Sequence, residues 1–213
     1  MAPVNGKPFI GYLLDYFSAR GIRRFVLALG YKAELIEAYA QSYVLMARTK
    51  GLEIAFSVEK EPLGTGGAIR MACEATTSED VLILNGDTFF GISVGQLDNF
   101  HQEKNADCSL ALKRMQNFSR YGLVEVDNDY SITHFMEKKF YSDGLINGGI
   151  YILKRGSLLD AALPEKFSFE TDYMEKYLGK HRLFGMEQDA YFIDIGIPED
   201  YFRAQSELQK KLG

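Results

Sequence analysis

The sequence predicts an α/β protein built on a doubly wound, mixed and mainly parallel sheet, and three observations carry that expectation. In the first half, short apolar strands alternate with amphipathic helices at crossover spacing. Two apolar strands end in an aspartate beside a glycine, and a third strand turns into its helix through a run of glycines. All three features belong at the carboxyl edge of such a sheet, where its ligands bind.

The elements follow in order. From Pro8 to Gly21, Ile10, Leu13, Leu14 and Phe17 fall at i, i+3, i+4 and i+7, the stripe of a helix laid on a sheet, and Gly21 ends it. Arg24 to Leu29 reads as a buried strand, Lys32 to Tyr43 as a helix, Glu53 to Val58 as a strand, Thr65 to Ala75 as a helix and Asp80 to Asn85 as a strand. After Asn105 the rhythm changes to strands at Cys108 to Lys113, Tyr121 to Val126, Ile132 to Glu137 and Ile146 to Leu153, joined by turn-rich connections. Helices return at Ser168 to Leu178 and at Pro198 to Leu212, the second opened by a proline whose missing N–H costs little there. A sheet of this kind usually has a strand before its first helix, placed centrally, yet only Met1 to Lys7 precede the helix here. The expectation is therefore a sheet lacking its first strand.

With 213 residues, 46% of them hydrophobic, the chain is read as one domain, residues 1–213. The formal net charge of -5, with no basic run, leaves no electrostatic footprint for nucleic acid or an anionic membrane. No apolar stretch approaches the roughly 20 residues of a membrane helix, and no export signal opens the chain, so a cytoplasmic protein is expected. Cys73 and Cys108 are expected to be reduced core residues. His101, His134 and His181 have no metal-ligand spacing, and the 13 tyrosines and 15 phenylalanines read as core.

Three segments could carry chemistry. Glu61-Pro62-Leu63-Gly64-Thr65-Gly66-Gly67 places glycines where a strand becomes a helix, which lets backbone N–H groups approach an anion; a tight turn with Thr65 as helix cap explains the same residues. Asn85-Gly86-Asp87 and Ile193-Asp194-Ile195-Gly196 each end an apolar strand in a carboxylate, and two such carboxylates can share one Mg²⁺ with substrate phosphates if the fold brings them together. Glu137-Lys138-Lys139 is an exposed charged turn or a phosphate site, and the residues alone leave both open.

Taken in order with Gly6-Lys7-Pro8, Tyr121-Gly122 and Asn147-Gly148-Gly149, these motifs resemble those of sugar-phosphate nucleotidylyltransferases across essentially the whole chain. The wording Glu-Pro-Leu-Gly-Thr-Gly-Gly and Leu-Ile-Asn-Gly-Gly-Ile-Tyr is most similar to D-glycero-α-D-manno-heptose 1-phosphate guanylyltransferases. The resemblance implies a Rossmann-like fold and a Mg²⁺-dependent reaction, in which a sugar 1-phosphate displaces pyrophosphate from a nucleoside triphosphate. It assigns Asp87 and Asp194 to the metal, Lys138 to the sugar phosphate, and Gly122, Glu137, Asn147, Gly148 and Glu170 to the sugar. Glu61, Gly64, Thr65, Gly66, Gly86 and Asp87 fall to the nucleotide. Residues 1–105 would form the nucleotide-binding half and 106–213 the sugar-phosphate-binding half.

Guanine presents adjacent N1–H and N2–H₂ donors that the Glu61 carboxylate can accept, which favours GTP. The expected partners are these small molecules, with no nucleic acid and no membrane, and a homo-oligomer is compatible with the sequence. Family members open with an apolar strand and a glycine-rich loop bearing Gly-Thr-Arg and a lysine. None of these precedes Gly6-Lys7-Pro8 here, so little turnover is expected of the chain as it stands. A regulatory subunit that binds a nucleotide-sugar without making it is the alternative of another class. Mannose 1-phosphate guanylyltransferases and sugar-phosphate uridylyltransferases are alternatives within the family, and a glycosyltransferase fits the Asn-Gly-Gly and Asp-Ile-Gly segments less well.

Overall fold

A computed structural model describes residues 1–46 and 51–212. The chain opens with a two-residue hairpin, β1 (Pro3–Val4) and β2 (Lys7–Pro8), turned by Asn5 and Gly6 at φ 48° and 75°. Both turn residues sit in the left-handed region that an Asn-Gly pair tolerates. Then come α1 (Phe9–Ala19), β3 (Arg24–Leu29), α2 (Ala33–Met46), β4 (Glu53–Val58), α3 (Gly64–Glu74), β5 (Asp80–Leu84), β6 (Thr88–Phe90) and α4 (Val94–Glu103). The second half holds β7 (Cys108–Phe118), β8 (Val124–Val126), β9 (Ile132–Phe135), β10 (Tyr141–Lys154), α5 (Arg155–Leu159), a π-helix (Phe169–Glu175), β11 (Leu183–Glu187), β12 (Phe192–Asp194) and α6 (Pro198–Leu212).

The expected α/β architecture holds. A four-stranded sheet runs β11-β7-β10-β5, while β3 pairs with β4 in parallel and β12 with β6 antiparallel. Side chains alternate across the sheet and feed two cores. Ile150, Ile152, Leu82 and Leu84 face α1 and α6, whereas Tyr151, Leu153, Val81 and Ile83 face α3 and the π-helix. Helices thus cover both faces, and each core draws on both halves of the chain. The stripe read from α1 is buried as expected; burying Leu13, Leu14 and Phe17 contributes about 1.5–3 kcal/mol per side chain.

Several boundaries moved. α3 begins at Gly64 with Leu63 at its cap position and no side-chain cap, so Thr65 is not the cap. The segment expected as an α-helix from Ser168 is a π-helix, a form that concentrates at functional sites. Tyr121 and Gly122 precede β8 rather than belonging to it, and β7 and β10 are longer than expected. The hairpin, β6, α4, α5 and β11 were not expected.

β3 and β5 each have a paired neighbour on one side, and they do not pair with each other. A cleft of about 490 Å³ lies between them, walled by Leu14 and Phe17 of α1 on one side and Ile69 and Cys73 of α3 on the other. The sheet is therefore interrupted between these two strands. Gly86 is among the residues that line it, so the cleft reaches the carboxyl edge of the sheet.

Candidate active site

Strand pairing brings the two strand-end carboxylates together. β6 runs antiparallel to β12 with Thr88 opposite Asp194, and the Ile195 N–H donates to the Asp87 carbonyl at 2.9 Å. A Cβ placed on Gly196 would lie 3.0 Å from Asp194 Oδ1 and 3.6 Å from Asp87 Oδ2. Both carboxylates therefore border one small space, which stays open because residue 196 is glycine.

Asp194 is fixed on both oxygens. The Gly196 N–H donates to Oδ1 at 2.9 Å and the Tyr121 hydroxyl to Oδ2 at 3.2 Å. Burial, and then the Asp194 charge, push the Tyr121 pKa up, so the phenol keeps its proton and remains a donor. Asp87 Oδ1 accepts from the Thr88 hydroxyl at 3.3 Å, which leaves Oδ2 free for a ligand. Two hard oxygen donors beside open space fit a magnesium ion that keeps several waters.

The Asn147-Gly148-Gly149 segment forms a bulge in β10, where its register against β7 shifts between Asn147 and Tyr151. Gly149 has φ 71°, and its N–H donates to Asn147 Oδ1 at 3.0 Å. The Asn147 Nδ2 donates to the hydroxyl of Tyr151, a residue only 1% exposed, at 2.8 Å. Because Ile150 pairs with Leu84, the bulge lies at the same end of the sheet as Asn85-Gly86-Asp87. Gly148 packs against Phe90, which leaves no room for a side chain.

Gly122 abuts the Met136 carbonyl, so the turn that supplies Tyr121 to Asp194 also touches the residue before Glu137 and Lys138. Lys138 is exposed, while Lys139 lies over the Tyr141 ring at 5.4 Å. Burial and then the charges of Glu137, Glu170 and Asp172 raise the Glu175 pKa, so Glu137 and Glu170 each lie within electrostatic reach of Glu175.

The glycine turn is arranged differently from the expected anion cradle. The Gly66 N–H donates to the Phe167 carbonyl at 3.0 Å, and the Phe167 N–H donates to the Leu63 carbonyl at 3.0 Å. A Cβ on Gly64 or Gly67 would fall 2.6 Å from the carbonyl oxygens of Phe167 and Glu165 respectively, and Gly66 packs on the Phe167 ring. The glycines thus admit the segment before the π-helix. The Thr65 hydroxyl is engaged with Glu170 at 3.0 Å. Thr65 and Gly66, expected at the nucleotide, spend those groups inside the protein. Glu61, Gly64, Thr65 and Gly86 are exposed at the edge of the sheet, whereas Gly66 is buried. The roles of Tyr121 and Tyr151 escaped the sequence reading, because nothing in a lone tyrosine says which polar group it reaches.

A two-sided α/β sheet that ends in paired carboxylates, with an asparagine bulge and a basic turn beside them, defines an enzyme of nucleotidyl transfer. The chain belongs to the nucleotidyl transferase family, whose model matches residues 1–211. It is 46% identical over 209 residues to the D-glycero-α-D-manno-heptose 1-phosphate guanylyltransferase of Aneurinibacillus thermoaerophilus, a match that covers 98% of this chain and 88% of that protein. It is 45% identical to the enzyme of the same name from Campylobacter jejuni, with 95% and 86% covered. Among solved structures, HddC from Yersinia pseudotuberculosis complexed with GMP-PN superposes with a TM-score of 0.86 at 33% identity, with 98% of this chain and 88% of that chain covered. No helix among the described residues is long and apolar enough to cross a membrane.

Proposed function

We propose that the protein transfers GMP from GTP to D-glycero-α-D-manno-heptose 1-phosphate, forming GDP-heptose and pyrophosphate. The observation that carries the proposal is the convergence of Asp87 and Asp194 on the open space at Gly196. The substrates follow from the 46% and 45% identity to two heptose 1-phosphate guanylyltransferases.

In this reaction an oxygen of the sugar phosphate attacks the α-phosphorus in line. The bond from that phosphorus to the bridging oxygen breaks, and pyrophosphate leaves with the electron pair. Asp87 and Asp194 would hold Mg²⁺, which supplies positive charge at the reacting phosphates. Lys138 neutralises the sugar phosphate, and Glu137, Asn147 and Glu170 accept or donate to sugar hydroxyls beside the backbone of Gly122 and Gly148. Glu61 reads the guanine edge, with the nucleotide lying along Gly64 and Gly86. Thr65 and Gly66 hold that turn in place from behind. The division of labour between residues 1–105 and 106–213 is functional within one domain. A cytoplasmic location suits an enzyme that consumes a nucleoside triphosphate and a sugar phosphate, and assembly with a second copy is compatible with this site. Rate comes from positioning and charge neutralisation, because the protein contributes no covalent step.

The test is a screen of pyrophosphate release with several nucleoside triphosphates against several sugar 1-phosphates, run on the full-length gene product with any residues upstream of Met1 included. GTP with the heptose phosphate is expected to give the highest kcat/KM. A higher value for another pair reassigns the substrates, and binding of GDP-heptose without pyrophosphate release from any pair overturns the enzyme reading. Glu61→Gln should reduce the preference for GTP over UTP; an unchanged preference removes Glu61 from base recognition.

A further inference from the structure

Two hydroxyls donate to one oxygen of the Glu170 carboxylate, at the start of the π-helix. The Thr65 hydroxyl donates to Oε2 at 3.0 Å, and the Ser168 hydroxyl to the same oxygen at 3.3 Å. The buried hydroxyl of Tyr151 accepts from Asn147 and has Glu170 as its acidic neighbour. Thr65 and Ser168 thus hold the carboxylate directly, with the Asn147–Tyr151 pair as its neighbour.

Thr65 is held firmly from its other side. Its hydroxyl oxygen accepts the Phe169 N–H at 2.9 Å. The Leu63 to Gly66 turn exchanges two backbone hydrogen bonds with Phe167. Arg70, one helical turn further on, donates to the carbonyls of Leu163, Pro164 and Glu165 and lies 5.0 Å from the Phe167 ring centre. The turn that carries Gly64 cannot shift without moving the backbone on which Glu170 sits. Interactions this dense pass displacement on as a unit, since packed interiors do not deform continuously.

We propose that Thr65 is a positioning residue for Glu170, and that this contact couples the nucleotide turn to the sugar site. The inference rests on the proposed function for the identity of the two ligands. It also gives the hydroxyl a task other than touching the nucleotide. A charge-assisted hydrogen bond of this type is worth about tenfold or more in an equilibrium constant.

The experiment compares Thr65→Val, which keeps the shape and removes the hydroxyl, with Thr65→Ser, which keeps the hydroxyl. Titration calorimetry in the presence of chelator, with no turnover, measures heptose 1-phosphate and GTP separately. Thr65→Val should weaken the sugar phosphate about tenfold and leave GTP within about twofold, with Thr65→Ser restoring the sugar phosphate. Weaker GTP with unchanged sugar phosphate makes Thr65 a nucleotide contact and overturns the proposal, as does no change in either. Hydrogen exchange at the Phe169 amide provides the second measurement. Thr65→Val should accelerate it and Thr65→Ser should not, and an unchanged rate overturns the contact whatever the ligands do. A wild-type protein that binds neither ligand refutes the proposed function, while the exchange result still decides the Thr65 contact.

Discussion

Gly196 shows how a single atom can decide a site. Its N–H holds Asp194, and the place its Cβ would take is bordered by both carboxylates. Gly196→Ala should therefore lower Mg²⁺ affinity and activity by about tenfold or more, because the methyl group takes the space of the ion and a bound water. The melting temperature should stay near wild type, since Gly196 is exposed. A variant with normal metal dependence would show that the carboxylates do not share an ion. The sequence put Asp87 and Asp194 at strand ends, and the structure joins them. It could not reveal Tyr121 as the donor to Asp194, because residues 121 and 194 have no common local pattern.

At the scale of elements, α4 is anchored by His101, which is 2% exposed. Its Nδ1 lies 2.9 Å from the Ser109 hydroxyl of β7, and its Nε2 lies 3.5 Å from Asp80 of β5. Burial lowers its pKa below 6.5 and outweighs the Asp80, Asp98 and Asp107 charges, which act the other way. A base with a lowered pKa in the folded state binds fewer protons there than in the unfolded chain. Its contribution to stability is thus present above pH 6.5 and lost as the pH falls towards the lower folded value. His181, also lowered mainly by burial, adds to the same slope. Urea denaturation between pH 7.5 and about 5 should show stability falling with pH, and His101→Asn should flatten the slope. An identical slope in the variant would show that His101 does not titrate on unfolding.

The helix that carries His101 has a local signal in the sequence: Ser93 caps it by accepting the Gln96 N–H. The hairpin at Asn5-Gly6 has one too. β6 and β11 have none, because a three-residue strand has no period and Leu183 to Met186 hold no polar residue to mark the exposed face.

For the molecule as a whole, the cleft between β3 and β5 sets the pattern of stability. β7 is hydrogen-bonded on both sides, by β10 and β11, whereas β3 and β5 have one partner each. Hydrogen exchange should find the slowest amides in β7 and β10, with those of β3 and β5 that face the cleft about 100-fold faster or more. Equal protection across all these strands would mean that the cleft closes in solution. That β3 and β5 stay unpaired cannot be read from either strand alone, since each has the apolar run of a buried strand. The walls of the cleft and its reach to Gly86 required the packed structure.

What the sequence by itself determined was local: helix stripes, strand runs, the two aspartates placed where strands end, and an order of motifs that marks the nucleotidyl transferase family. These depend on residues within one or two turns of one another, and so they can be read along the chain. Only the tertiary structure decided which polar groups meet. Thr65 and Glu170, 105 positions apart, share a hydrogen bond, and the glycines beside Thr65 proved to be room for a neighbouring backbone. A hydroxyl or a missing side chain carries no record of its partner. That choice is made by distance in space, which the folding of the whole sheet and its helices fixes.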